Sequence, residues 1–507
     1  MSQTKKQTLF GRWKDMTNLR KLYINGEWVE PIHQHTLSVV NPATGELLAE
    51  VASAEAEDTE RAIRAARTAF DLGKWRHVSA HERATLLMNL AAKIDEHQEE
   101  LAYLEMLNNG KTLRESLSDM EEAAKTFRYY AGLTTKPTGE TFETTAPLIA
   151  RVVREPIGVC GQIIPWNYPL LMAAWKLAPA LAAGNVCILK PSELTPLTAI
   201  RLFELIDEIG FPKGVVNLIN GTGQNAGEPL VTSPLVDKIA FTGGTVIGKH
   251  IMKQAVGNLK KVSLELGGKS PNIIFADADY ESALDYATFA IFNNSGQVCS
   301  AGSRLLVEKS IYDQFVKDLV QATRNIKVGP GDDSASQMGP VISQAHMKKI
   351  LNYIEIGQQE GATLACGGKQ LLDQGRETGS FIEPTIFIDV DSHMTIAQEE
   401  IFGPVLCVMP FETEAEALQV ANDSPYGLAA GIFTSDVSKA ERMAKSIRAG
   451  VTWINTYEQN LVEGPWGGYK QSGIGRELGT YGLEEYTEVK QIINNLQVEP
   501  TGWFADK

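Results

Sequence analysis

Five short apolar runs, at residues 159–164, 186–189, 215–219, 238–241 and 261–264, alternate with segments of helical spacing, and this alternation constrains the fold more than any other feature of the chain. Each run is rich in β-branched residues and too short for a helix, so it reads as a buried strand. The clearest intervening helix is 195–209, with Thr195 as N-cap, Pro196 at the first helical position and Gly210 as its stop. Strands and helices in this order build a mostly parallel sheet with helices on both faces, and ligands bind beyond the carboxyl ends of its strands. Those ends carry Pro165-Trp166-Asn167-Tyr168-Pro169, Lys190-Pro191-Ser192-Glu193, Gly221-Thr222-Gly223, Thr242-Gly243-Gly244 and Glu265-Leu266-Gly267-Gly268.

A second α/β region begins past residue 279, with runs at 304–307, 381–388, 404–409, 431–434 and 451–454 and helices over 311–326 and 437–449. Ahead of the first region, 21–29 reads as a hairpin turning at Asn25-Gly26, Asn41-Pro42-Ala43-Thr44-Gly45 as a turn, and 55–70 as a helix. A further helical stretch runs from Leu87 to a C-cap at Asn109-Gly110, with a break near His97. The extended run 148–153 and the final strand 487–493 have little of their own to pack on, so they read as arms that pair with another sheet or subunit. Residues 465–477 are too glycine-rich for a core element and read as a loop shaped around something.

At 507 residues the chain exceeds one hydrophobic core, and 43% hydrophobic with 21% charged residues is an ordinary globular composition. A net charge of −15 argues against nucleic acid or an anionic membrane as partner. Five cysteines without a C-x-x-C pair point away from a zinc site and a disulfide framework, and towards a reducing compartment. The basic lead, with Lys5, Lys6, Arg12, Lys14, Arg20 and Lys21 against Asp15, lacks the apolar stretch of a secretory signal. No run is long enough to span a bilayer, so a soluble, cytoplasmic protein is expected.

The chemistry concentrates in two places. Cys299 lies among Gly296, Gln297, Ser300, Ala301, Gly302 and Ser303, a setting of little bulk and many hydrogen-bonding groups. It is either a small buried hydrophobe or a nucleophile. Glu265 ends an apolar run and precedes two glycines that give a ligand room to approach, unlike a solvated glutamate on a helix face. The G-x-G-x-x-G fingerprint is absent, residues 221–227 being one residue too long. Gly243, Gly244 and Gly248 straddle a helix start where a pyrophosphate can meet the amino-terminal dipole. Lys190 and Glu193 are spaced to grip two ribose hydroxyls, the alternative being a loop that enters a helix.

Taken in order, residues 165–169, 190–193, 241–244, 265–271, 296–299, 399–404 and 465–477 resemble the aldehyde dehydrogenase superfamily over nearly the whole chain. The resemblance implies an α/β fold: a Rossmann-like parallel-sheet NAD-binding domain from 1–138 and 158–267, an α/β catalytic domain from 268–482, and a small β oligomerisation element from 139–157 and 483–507. It implies Cys299 as nucleophile, Asn167 and the Cys299 backbone N–H as oxyanion donors, and Glu265 as general base, supported by Lys176 and Glu477. NAD is the implied cofactor, with Lys190 and Glu193 at one ribose, Glu400 and Phe402 at the other, Trp166 and Gly243 near the phosphates, and Ile164, Pro165, Asn167, Gly223, Gly244, Gly248 and Leu266 completing the site. A carboxylate at Glu193 repels a 2′-phosphate and so favours NAD over NADP.

Within the superfamily the chain looks closest to the betaine aldehyde dehydrogenases. Tyr168, Trp175 and Trp466 match aromatic positions that surround a trimethylammonium group there, which ring faces can hold without hydrogen bonds. A fourth such position is Asn293, and Asn109 replaces a frequent aspartate, which weakens any claim to bound potassium; no metal site is assigned. Aminoaldehydes and aliphatic aldehydes are the alternative substrates, and a homodimer or homotetramer is implied. A cysteine hydrolase would need a histidine partner in a comparable setting, an acylating dehydrogenase would not need Glu265, and a non-catalytic structural relative would be expected to lack one of Cys299, Asn167 or Glu265.

Overall fold

The computed structural model describes residues 21–504; the basic lead up to Arg20 and the last three residues lie outside the described residues. All five predicted strands form and lie together: β7 (Val159–Ile163), β8 (Val186–Lys190), β9 (Val216–Leu218), β10 (Lys238–Thr242) and β11 (Lys261–Glu265) are mutually parallel in the order β11-β10-β7-β8-β9. The predicted hairpin, β1 (Leu22–Ile24) and β2 (Glu27–Val29), extends this sheet beyond β9, its turn made by Asn25 and Gly26 at φ 56° and 73°. The loop expected at 465–477 contributes a short antiparallel strand, β19 (Gly473–Ile474), on the opposite edge beside β11.

The second sheet starts earlier than the sequence pattern indicates. Its first strand in the chain, β12 (Pro271–Ile274), is interior, flanked by β13 (Arg304–Glu308) and β17 (Ala429–Phe433). Pro271 and Asn272 disguise it, yet proline is tolerated at the first residue of a strand. Beyond β13 lie β16 (Val405–Phe411), β15 (Thr385–Ile388) and an unforeseen antiparallel β14 (Thr363–Cys366); beyond β17 lies β18 (Val451–Ile454). Only five residues, 266–270, join β11 to β12, so the carboxyl edge of the first sheet meets the amino edge of the second. One core surrounds the first sheet and two smaller cores cover the faces of the second.

The remaining strands are peripheral. The pair β3 (Thr36–Val40) and β4 (Leu47–Ala52) encloses the predicted turn at 41–45. The two arms find each other: β6 (Leu148–Pro156) pairs antiparallel with β20 (Thr487–Asn495) and with β5 (Glu140–Phe142). Among the helices, Ala80–Glu96 and Gln98–Asn109 break at His97 as expected. The helix expected from Thr195 begins instead at Leu197, and its N-terminus is capped from a distance. Asn108 Oδ1 accepts the Leu197 N–H at 3.2 Å while its Nδ2 donates to the Leu194 carbonyl at 2.8 Å. No helix among the described residues is long and apolar enough to cross a membrane.

Candidate active site

Register fixes what the first sheet presents. Ile163 pairs with Lys190 and Thr242 with Glu265, so the predicted polar residues line one edge. From β7 the chain runs into Trp166-Asn167-Tyr168, a turn held by three side chains. Asn109 Nδ2 donates to the Trp166 carbonyl at 2.8 Å, and Lys111 Nζ and Asn294 Nδ2 donate to the Asn167 carbonyl at 2.8 and 3.1 Å. Asn167 Nδ2 donates to the Gln297 carbonyl at 2.9 Å, which leaves its second amide hydrogen for another acceptor.

Cys299 comes from the amino side of the second sheet. After the helix Tyr280–Phe292 the chain turns through Asn294, Ser295 and Gly296, with φ of 46°, 55° and 71°. At Gly296 any Cβ would strike the backbone of Gly403, so only glycine passes there. The Gln297 side chain holds the turn, Nε2 donating to Asn294 O at 3.1 Å and Oε1 accepting from Ile342 N–H at 2.8 Å. The thiol is half-buried, and desolvation followed by the charges of Glu400, Glu265 and Glu458 pushes it well above the ordinary thiol range. It therefore rests as a thiol and needs a base to attack.

Glu265 is 4% exposed, and neither carboxylate oxygen has a hydrogen-bond partner among the described residues. Burial first, then the charge of Glu477, raises it well above the usual carboxylate range, against the pull of Lys176 and Arg476. A carboxyl so placed is held protonated until pH rises or a cation approaches. Lys176 Nζ pairs with Glu477 Oε1 and donates to Thr242 Oγ1 at 2.7 Å, so the two supporting residues bind one another without touching Glu265. Glycines at 267 and 268 make room for protein, not only for a ligand. A Cβ at Gly267 would overlap the Glu400 carboxylate, and one at Gly268 would lie 2.5 Å from the Cys299 carbonyl.

These groups open on one cavity of about 660 Å³. It is lined by Cys299, Glu265, Asn167 and Glu477, by Tyr168, Trp175 and Trp466, and by Pro165, Trp166, Gly243, Gly244, Leu266, Glu400 and Phe402. Ile164, Lys176, Lys190, Glu193, Gly223 and Gly248 lie outside that lining. Lys190 is 3% exposed, with Glu193 Oε2 3.4 Å from its Nζ. Gly223 opens a π-helical turn capped by Thr222 Oγ1. Gly248 is small because a Cβ would lie 2.5 Å from Leu266, whereas nothing stands within 4 Å of a Cβ at Gly244, the residue before the helix Thr245–Ala255.

Several lining groups escape a reading of the sequence, His346 and Glu458 among them. His346, kept neutral by burial that lowers it to about 4, donates from Nε2 to the Phe402 carbonyl at 2.7 Å and stacks edge-on against Trp166. Glu458, outside every recognised motif, also faces the cavity. Neither carries a local signal, since each is defined by what folding brings beside it.

A sequence model of the aldehyde dehydrogenase family matches residues 28–492. The chain belongs to the aldehyde dehydrogenase family. It is 51% identical to betaine aldehyde dehydrogenase of Bacillus subtilis (strain 168) over 484 residues, 95% of this chain and 99% of that protein. It is 49% identical to mitochondrial aldehyde dehydrogenase of Homo sapiens over 93% of this chain and 91% of that one. Betaine aldehyde dehydrogenase of Staphylococcus aureus, solved with NAD+, superposes with a TM-score of 0.96 at 48% identity, covering 99% of this chain and 98% of that one. Cys299, Glu265 and Asn167 line one and the same cavity.

Proposed function

We propose that this aldehyde dehydrogenase uses NAD to oxidise betaine aldehyde irreversibly to glycine betaine. The observation that carries the reaction class is the placing of a half-buried thiol and a partnerless buried carboxyl, Cys299 and Glu265, in one cavity with the free amide hydrogen of Asn167. Cys299 gives its proton to water as its Sγ bonds to the aldehyde carbon, and the carbonyl π pair moves onto oxygen. Asn167 Nδ2 and the Cys299 backbone N–H donate to that oxyanion. Bound NAD would supply the hydride acceptor that leaves the carbon as a thioester. Glu265 then takes a proton from water as its oxygen joins the carbonyl carbon, the C–S bond breaks and the acid departs. Lys176 and Glu477 form the charged support from which the base can shed its proton.

The residues present fit NAD. Lys190 and Glu193 offer a donor and an acceptor at the end of β8, Gly244 leaves open space before a helix N-terminus, and the Glu400 carboxyl is anchored by the Gly268 N–H at 3.1 Å. The carboxylate of Glu193 favours NAD over NADP. A division into 1–138 with 158–267, 268–482, and arms 139–157 with 483–507 is supported by the parallel strands of the first sheet lying within 159–265, those of the second within 271–454, and the third sheet pairing 140–156 with 487–495, although Gly473–Ile474 crosses to the first sheet. The paired arms, which expose Val489 and Ile493, support a homodimer or homotetramer. Free cysteines at all five positions agree with a cytoplasmic setting.

The substrate reading rests on Tyr168, Trp175 and Trp466 sharing the cavity with Cys299. Its test is kcat/KM with NAD for betaine aldehyde beside the isostere carrying tert-butyl in place of trimethylammonium. A preference of about tenfold or more for the cation, ~1.4 kcal/mol, is expected. Equal rates would turn the three rings into an apolar tunnel for ordinary aldehydes.

A further inference from the structure

The aromatic residues are already engaged with neighbours of their own. The Lys111 ammonium sits 4.2 Å from the centroid of the Tyr168 ring, and Trp175 and Trp466 meet each other edge-to-face at 5.7 Å. A ring that already carries one ammonium pulls less strongly on a second. Glu458 contrasts with them. It lines the same cavity and holds φ at 56°. Tyr457 before it is buried and anchors the turn, its hydroxyl donating to the Ser300 carbonyl at 3.0 Å. Left-handed backbone at a non-glycine residue is uncommon and concentrates at functional sites. The Glu458 Oε2 accepts one hydrogen bond, from Asn293 Nδ2 at 3.0 Å, and its Oε1 is buried with no partner.

We infer that Glu458, anchored by Asn293, is the residue that selects a cationic aldehyde, its unpartnered carboxylate oxygen supplying the negative charge that faces the substrate's quaternary or protonated nitrogen. The inference rests on the reading of this cavity as the site of aldehyde oxidation and names the determinant of substrate class within it. A buried carboxylate with a single amide donor lacks the counter-charge that such a group requires, and a cationic substrate brings it. Burial, opposed by the Asn293 hydrogen bond and aided by the charge of Glu115, pushes Glu458 up to about 8, so the carboxyl takes its charged form when a cation binds beside it. Asn293, which stands at the fourth aromatic position of the subgroup, trades a ring face for an amide that aims a carboxylate.

The experiment is the ratio of kcat/KM for betaine aldehyde to that for its tert-butyl isostere, in the wild type and in Glu458→Gln. The wild-type ratio of about tenfold is expected to fall at least about fivefold, chiefly through a higher KM for the cation. Because each variant serves as its own reference through the neutral substrate, partial loss of active protein cancels. Glu458→Ala, which removes the charge by truncation, gives the same readout if the glutamine variant does not fold. A wild-type preference that survives both substitutions overturns the assignment and returns cation recognition to the rings, leaving the proposed reaction intact. A proportionate loss on both substrates also overturns it, since Glu458 would then only support the turn. Absence of any preference in the wild type overturns both this inference and the betaine aldehyde reading, while turnover of the neutral isostere would preserve the reaction class.

Discussion

Glu265 is buried and Glu458 half-buried with its Oε1 buried; both line one cavity and both raise the Cys299 thiol, and their surroundings differ. Glu265 has no hydrogen-bond partner on either oxygen and stands near the Lys176–Glu477 pair; Glu458 has one oxygen tied to Asn293 and no cationic support of that kind. A carboxyl without fixed donors, beside a charged pair, can change protonation state during a reaction. One that is aimed by an amide is held in place for a cation, whose arrival draws it into the charged form. On the roles proposed above, the difference separates proton transfer from recognition, although the residue type is the same.

The sharpest way to break that division is to remove what both act upon. Cys299→Ala should abolish aldehyde-dependent NADH formation altogether, measured by absorbance; a normal steady-state rate would sink the nucleophile assignment. Next in size, Glu265→Gln should retain a burst of NADH but turn over about 10²- to 10⁴-fold more slowly, because hydrolysis loses its base. In the wild type the base form of Glu265 appears only as pH climbs through its raised pKa, so the steady-state rate should go on rising with pH above the ordinary carboxylate range. Glu265→Gln should lose that rise.

Asn167→Ala should lower kcat by about 10²- to 10³-fold with a smaller change in KM, the signature of a donor used mainly in the transition state. The smallest effect concerns stability. Folded Glu458 keeps its proton up to about 8, whereas the unfolded chain releases it in the ordinary carboxylate range, so the wild type loses stability as pH rises between the two. Glu458→Gln lacks this loss, and its melting temperature relative to the wild type should increase from about pH 5 to about pH 9. A constant difference would show that the Glu458 carboxyl titrates normally.

Much of this is legible in the chain. The five strands of the first sheet are continuous apolar runs, and their ends carry Asn167, Lys190 and Glu265 at the edge where the register places them. β12 is hidden because Pro271 and Asn272 interrupt its apolar pattern, though its place in the interior of a parallel sheet buries it on both faces. Local spacing gives the cap on the helix Leu197–Ile209 to Thr195, but Asn108 provides it from another helix, and no local pattern announces a cap supplied from so far away. Gly267 and Gly268 are recognisable as close approaches; only the fold shows that Glu400 and Cys299 are what approach. Glu458 and His346 are invisible for the same reason, since burial and neighbours, not residue type, give them their character.

Trp466 and Glu477 exchange backbone hydrogen bonds in both directions, each N–H donating to the other's carbonyl at 2.7 Å. One belongs to the aromatic wall and the other to the charged support of the base, so a single clamp ties substrate choice to hydrolysis. Changes within residues 467–476, the loop that this clamp closes, would shift both traits together. An evolving or engineered enzyme that seeks a new substrate through this loop inherits a penalty in turnover, and independent tuning is easier from Asn293 and Glu458, which lie outside the clamp.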